Sequence, residues 1–131
     1  MGRQDPPGLT FDSGALIAFE GRDRRVTALV QRAIDLGRTI VVPAGVVGQV
    51  WRGGGARQAR LAILLGSKHV MVEDLTRNRA QIAGELCKRS GTKDVIDASV
   101  VLAAWSHGRV VVTSDPGDIR RLDPSLKVVS V

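Results

Sequence analysis

The carboxylates of this 131-residue chain fall in places where they could do chemistry. Asp12 ends the run LTFD, Asp94 and Asp97 open the run KDVIDASVVLAAW, and Asp115 and Asp118 follow VVVT. Aspartate is a common helix cap, and Asp12, Asp94 and Asp118 each suit that task. Asp97 does not, because it lies within an otherwise apolar helical run, where a charge needs a partner or a metal. Asp94 and Asp97 are spaced i, i+3 and so share one helix face. Carboxylates brought within ~4 Å of one another repel by about 4 kcal/mol per pair at an effective dielectric near 20. A divalent cation removes that penalty, and hard Mg2+ or Mn2+ prefers such oxygen ligands. An ion held this way activates water and neutralises charge on a phosphodiester during hydrolysis.

The elements that must position these acids alternate between β-branched runs and helical ones. Leu9 to Phe11 predicts a strand ending at Asp12, with Ser13 capping a helix through Phe19. Asp23 caps a second helix, in which Val26, Leu29, Val30, Ala33 and Ile34 recur at helical spacing before Gly37 closes it. Thr39 to Val42 is a strand stopped by Pro43, followed by short helices over Ala44 to Trp51 and Arg57 to Leu65. His69 to Val72 is a third strand, and Thr76 caps a helix ending near Ser90 and Gly91. Thr92 is expected to cap the most apolar helix, Lys93 to about His107. Arg109 to Val112 is a strand, a helical turn follows Pro116, and Lys127 to Val129 is the fifth strand. This alternation predicts an α/β fold with a mainly parallel sheet covered on both faces. Ligands of such sheets sit beyond the carboxyl ends of the strands. Asp12 and Asp115 meet at one sheet edge if their strands are neighbours.

Composition narrows the field. Hydrophobic residues at 44% and charged residues at 24% are those of a globular domain. No run reaches the ~18 apolar residues of a membrane span, and the N-terminus lacks the apolar core of a secretory signal. One cysteine, Cys87, makes neither an intrachain disulfide nor a thiolate zinc site. A cytoplasmic single domain is expected. The net charge is +6, and fifteen of the nineteen cations are arginine, whose planar fork suits phosphate. Four aromatics and no tyrosine argue against a base-stacking platform, so a nucleic acid would be gripped by phosphate and shape. Acid cluster and basic exterior together point to a metal-dependent nuclease.

The segments LTFDSGALIAFE, VVPAGVVGQVWR, DVIDASVVLAA and VVVTSDPGDI, in that order, resemble the motifs of PIN domains. They are most similar to those of VapC toxins of VapBC toxin–antitoxin modules, actinobacterial ones in particular. The resemblance runs from about Leu9 to Val129 and implies a three-layer α/β/α fold with about five strands, residues 1–8 being a flexible extension. It further implies a Mg2+- or Mn2+-dependent endoribonuclease acting on transfer, ribosomal or messenger RNA, a homodimer, and restraint by a VapB-type antitoxin. Matched residue by residue, Asp12, Asp97 and Asp115 are the metal-holding catalytic acids. Asp118 is the alternative to Asp115, and Asp94 matches an acid found in part of the family. Ser13 and Thr113 match small hydroxyl residues beside the first and last acids.

One position departs from the pattern. The family usually carries Glu in the short helix after the second strand, and here that residue is Gln49. The amide keeps the shape but loses a charge and the capacity to act as a base. Two readings follow: an enzyme that works with the remaining acids, or a weakened PIN module that only binds RNA or protein. The segment Arg52-Gly-Gly-Gly-Ala-Arg57 lacks the features of a P-loop and reads as a helix connection whose arginines are candidates for RNA backbone contact. His69 and His107 lack ligand spacing, and Cys87, Trp51 and Trp105 read as packing residues.

Overall fold

The computed structural model describes residues 7–131. The elements run β1 (Leu9–Phe11), α1 (Ser13–Glu20), α2 (Arg24–Asp35), β2 (Ile40–Pro43), α3 (Ala44–Val50), α4 (Ala56–Leu65), β3 (Val70–Glu73), α5 (Arg77–Ser90), α6 (Val95–Ser106), β4 (Val110–Thr113), α7 (Pro116–Leu122) and β5 (Lys127–Ser130). The five strands form one sheet in the order β3-β2-β1-β4-β5, and every pairing is parallel. Helices α1 to α4 pack around α1 in one layer, and α5, α6 and α7 pack together in the other. The α/β class and the three-layer arrangement expected from the sequence are both present.

Burial follows sheet position. β1, β2 and β4, the central strands, are buried throughout, while the edge strands β3 and β5 are half-exposed. This is why IVVP and VVVT lack polar alternation: in a parallel sheet covered on both faces, both sides of a central strand face the core. Helix α6 is apolar around its circumference for the same reason, and Ala98 to Ala104 are all buried between the sheet, α5 and α7.

Local capping agrees with the sequence at two helices and corrects it at two. Asp23 Oδ1 accepts from Val26 N–H at 3.0 Å, and Thr76 Oγ1 from Arg79 N–H at 3.2 Å. Gly91 closes α5 in the left-handed region at φ 69°. At α1 the cap is Asp12 and not Ser13, which is the first helical residue. At α6 the cap is Asp94 and not Thr92, leaving Lys93 in the preceding loop. A carboxylate three residues before a free N–H is the stronger acceptor in both cases.

The extension expected over residues 1–8 lies, for residues 1–6, outside the described residues. Gly8 is buried, and its carbonyl accepts from Val110 N–H at 3.2 Å, so it belongs to the packed body. Cys87 is buried as expected, but both tryptophans depart from the packing role. Trp51 is 43% exposed and Trp105 is 48% exposed, the latter donating from Nε1 to Asp123 Oδ2 at 2.7 Å.

Candidate active site

β1 and β4 are hydrogen-bonded neighbours, with Phe11 in register with Val112. The residues that follow, Asp12 and Thr113, therefore leave the sheet side by side at its carboxyl edge. This is also where the strand order reverses direction, since β2 and β3 lie to one side of β1 and β4 and β5 to the other. Such switch points leave a crevice between the connections.

Asp12 is 6% exposed and held from two sides. Its Oδ1 accepts from Ala15 N–H at 2.9 Å, and its Oδ2 accepts from the Thr113 hydroxyl. Thr113 Oγ1 in turn accepts from Asp115 N–H at 2.8 Å. One buried hydroxyl thus ties the first acid to the backbone of the last. Burial raises the Asp12 pKa above the ordinary carboxylate value, opposed by the hydrogen bonds from Thr113 and from nearby backbone N–H groups. Asp115 stands at the start of α7 and makes no side-chain capping bond.

Gly14 makes this approach possible. A Cβ at Gly14 would lie 1.9 Å from Ser114 Oγ and 3.2 Å from Ser114 N. Only a residue without a side chain lets the start of α1 sit against the β4–α7 connection.

Helix α6 delivers the remaining acid pair. Asp94 Oδ1 accepts from Asp97 N–H at 2.9 Å, so the cap also orders the first turn that carries Asp97. The Asp97 carboxyl is half-buried, and its pKa is pushed up to about 7. Desolvation is the largest cause, followed by repulsion from Asp94 and Asp118, a hydrogen bond with Asp94, and repulsion from Asp12. The Asp115 pKa is also raised, first by repulsion from Asp118 and then by a hydrogen bond with it, desolvation and Asp12. Asp12 and Asp118 therefore act on both Asp97 and Asp115, and Asp94 acts on Asp97. Asp94 acts as a cap and a neighbour at once, and Asp118 sits in the first turn of α7 without capping it.

The other predicted residues divide. Thr113 is central, whereas the Ser13 side chain makes no hydrogen bond among the described residues. Gln49 is exposed on α3. It follows Gly45 by four residues, and a Cβ at Gly45 would lie 2.4 Å from Ile96 Cδ1, so the Gly45 side of α3 faces the start of α6. Arg52 folds back on its own chain, donating to Gly48 O at 3.2 Å and Trp51 O at 2.7 Å. Arg57 lies near Gly21, at the end of α1 remote from Asp12, roughly 12 Å along the helix. A relay fixes that loop: Gln58 Nε2 donates to buried Glu20 at 2.6 Å, and Gln58 Oε1 accepts from the N–H groups of Arg52 and Gly53. Arg57 thus lies apart from the acids, and Arg52 spends its guanidinium on its own backbone. Gly14, Lys93 and Arg121 are site residues that sequence reasoning missed. Lys93 and Arg121 line a cavity of about 440 Å³ beside the acids, together with Gly91, Thr92, Asp94, Asp97, Asp118 and Leu122. A signal was present for Lys93 in its place directly before the acid pair.

Among the described residues no group of three or more His, Cys, Asp or Glu side chains stands close enough together to hold a metal ion. The donor chemistry nevertheless fits a hard divalent cation. All candidate ligands are carboxylates, and part of what raises the Asp97 pKa, after desolvation, and most of what raises that of Asp115 is a repulsion that a cation would relieve. No helix among the described residues is long and apolar enough to cross a membrane.

Comparison with solved structures gives the same fold. The chain matches VapBC2 from Rickettsia felis, bound to a promoter DNA fragment, with a TM-score of 0.68 at 14% identity, covering 94% of this chain and 98% of that one. It matches FitAcB from Neisseria gonorrhoeae with a TM-score of 0.63 at 18% identity, covering 93% and 96%. It also matches VapC20 of Mycobacterium tuberculosis, a toxin that cleaves the sarcin–ricin loop, with a TM-score of 0.61 at 18% identity, covering 79% and 87%. No curated protein sequence matches. The model of the PIN domain family matches residues 9–123, a span that holds all five acids of the crevice, and the chain belongs to that family.

Proposed function

We propose that this chain is a divalent-cation-dependent endoribonuclease, the toxin of a toxin–antitoxin pair. The observation that supports this reading is the pairing of β1 with β4, which brings Asp12 and Asp115 out of the sheet side by side, with the charges of Asp12 and Asp118 acting on both Asp97 and Asp115. Support for the substrate comes from the arginine-rich positive charge and from the likeness to a fold-mate that cuts the sarcin–ricin loop. Support for a VapB-type antitoxin comes from fold-mates solved as toxin–antitoxin complexes. A homodimer and a cytoplasmic location belong to the same reading.

Asp12, Asp97 and Asp115 would hold Mg2+ or Mn2+, which supplies charge neutralisation and water activation for phosphodiester hydrolysis. Thr113 holds Asp12 by its hydroxyl and Asp115 by its backbone, so the two acids keep a common spacing. Burial and the neighbouring carboxylates push the Asp97 pKa up to about 7, and positive charge held in the crevice would favour its ionised form. Asp94 keeps the first turn of α6 aligned so that Asp97 faces the crevice.

The test is cleavage of a small-RNA pool by the purified, antitoxin-free chain with Mg2+, Mn2+ or EDTA, alongside Asp97→Asn. Cleavage that requires both the metal and Asp97 is expected, and cleavage by Asp97→Asn at the parent rate would overturn the site assignment. Gln49 sustains a second reading, a PIN module silenced by loss of one charge on the α3 side facing α6. Cleavage by Gln49→Glu but not by the parent would establish it.

A further inference from the structure

A crevice walled by five carboxylates repels the polyanion it is meant to cut, so some nearby positive charge must hold the RNA against it. The cavity beside the acids contains two cations on two different walls. Lys93 lies in the loop between α5 and α6, directly before Asp94, and Arg121 lies in the last turn of α7. Both are exposed, and neither forms an ion pair among the described residues, although Asp94, Asp97 and Asp118 line the same space. Their donors remain available to a ligand.

The shape of the cavity is informative as well. Its volume of about 440 Å³ falls within the size range of small-ligand sites, roughly 300–1,000 Å³. Gly91 contributes to the space, since a Cβ there would meet nothing within 4 Å. No aromatic residue lines the cavity, so it offers no stacking surface for a base. What it offers an RNA strand is room for one nucleotide, an apolar contact from Leu122, and two cations for phosphate.

We propose that Lys93 and Arg121 are positioning residues that grip the phosphate adjacent to the scissile one, the cavity accommodating the nucleotide between them. This rests on the RNA-cleaving reading above. Contact with phosphate implies a sequence-tolerant grip at this subsite. It also separates the two tasks of the cleft: the acids of β1, β4 and α6 serve the reacting bond, and the loop before α6 and the end of α7 serve the register of the strand.

The test is binding of a fluorescent single-stranded RNA oligonucleotide by polarisation, in an Asp97→Asn background that prevents turnover, with cleavage kinetics measured on otherwise unaltered protein. Lys93→Ala and Arg121→Ala are each expected to raise Kd about fivefold and to reduce the slope of log affinity against log salt by about 0.7. Lys93→Arg and Arg121→Lys should restore most of the affinity, and in cleavage KM should rise by more than kcat falls. Arg25→Ala, which removes the same charge from an exposed site on α2 in the opposite layer, should leave Kd unchanged. Equal weakening by Arg25→Ala, or none by the two cavity variants, overturns the proposal. If the parent cleaves RNA through Asp97 while the cavity variants match it, this inference alone fails. If the parent neither binds nor cleaves RNA, both readings fail.

Discussion

Replacing Asp97 by Asn should stabilise the metal-free protein, and the pH dependence of that gain exposes its cause. In the folded state the Asp97 pKa is pushed from 3.8 to about 7. A carboxyl whose folded pKa lies above its unfolded value contributes stability that is present below the unfolded pKa and lost as pH rises through the folded one. The parent should therefore weaken between about pH 4 and pH 7, as an ionised Asp97 is forced into a desolvated site among like charges. A shift of about three units corresponds to a ceiling of ~4 kcal/mol. The side chain is only half-buried, and solvent screening lowers the net effect to ~1–2 kcal/mol. Ionised Asp97 also gains ~0.3–1 kcal/mol from the positive end of α6, and Asn forfeits that part. The expected net gain for Asp97→Asn is about 1 kcal/mol at pH 8 in EDTA, or roughly 3–5 °C in Tm, falling to about half that or less at pH 5 and vanishing below about pH 4. Urea unfolding of parent and variant at pH 5, 6.5 and 8 measures it. Added Mn2+ should reverse the ranking, because the cation stabilises the parent by RT ln(1 + [L]/Kd). A variant less stable than the parent at pH 8 in EDTA, or an equal gain at pH 5 and pH 8, would refute the account of Asp97.

Other substitutions probe the scaffold. Thr113→Val removes the hydroxyl linking Asp12 and Asp115; it should cost about 1–3 kcal/mol and most of the cleavage rate, whereas Thr113→Ser should retain both. Gly14→Ala should force Ser114 away and lower both stability, by ~1–3 kcal/mol, and cleavage. Adding Ser114→Gly removes the 1.9 Å clash and should recover much of each, as read by thermal unfolding and initial rates. Gln49→Glu should tighten Mn2+ binding severalfold by calorimetric titration, and unchanged affinity would show that this position lies outside the cation's reach.

Much of this molecule is legible in its residues. The boundaries of the strands and of most helices follow from β-branched runs, helical spacing and the signals at Asp23, Thr76 and Gly91, because these depend on neighbours only a few residues away. Asp97 stands out for a related reason, as the lone carboxylate of an otherwise apolar helix, although its place in the first turn of α6 also suits the positive helix end. Where two capping side chains compete, as at Ser13 and Thr92, sequence alone favours the wrong one, since the choice depends on which oxygen reaches a free N–H. The exposure of Trp51 and Trp105 is likewise invisible to periodicity, which says that a residue is apolar and not whether anything covers it.

The sequence by itself determined the α/β class, the acids worth testing and the oxygen-only chemistry that favours a hard cation. The tertiary structure decided which of those acids become neighbours. Asp12 and Asp115 are 103 residues apart, and only the pairing of β1 with β4 at the centre of the sheet makes them neighbours. The Thr113 bridge, the clearance at Gly14 and the cavity shared by Lys93 and Arg121 are products of that same pairing and of how α6 and α7 pack beside it. Strand order is set by the burial and hydrogen bonding of the whole sheet, a long-range balance that no local pattern encodes.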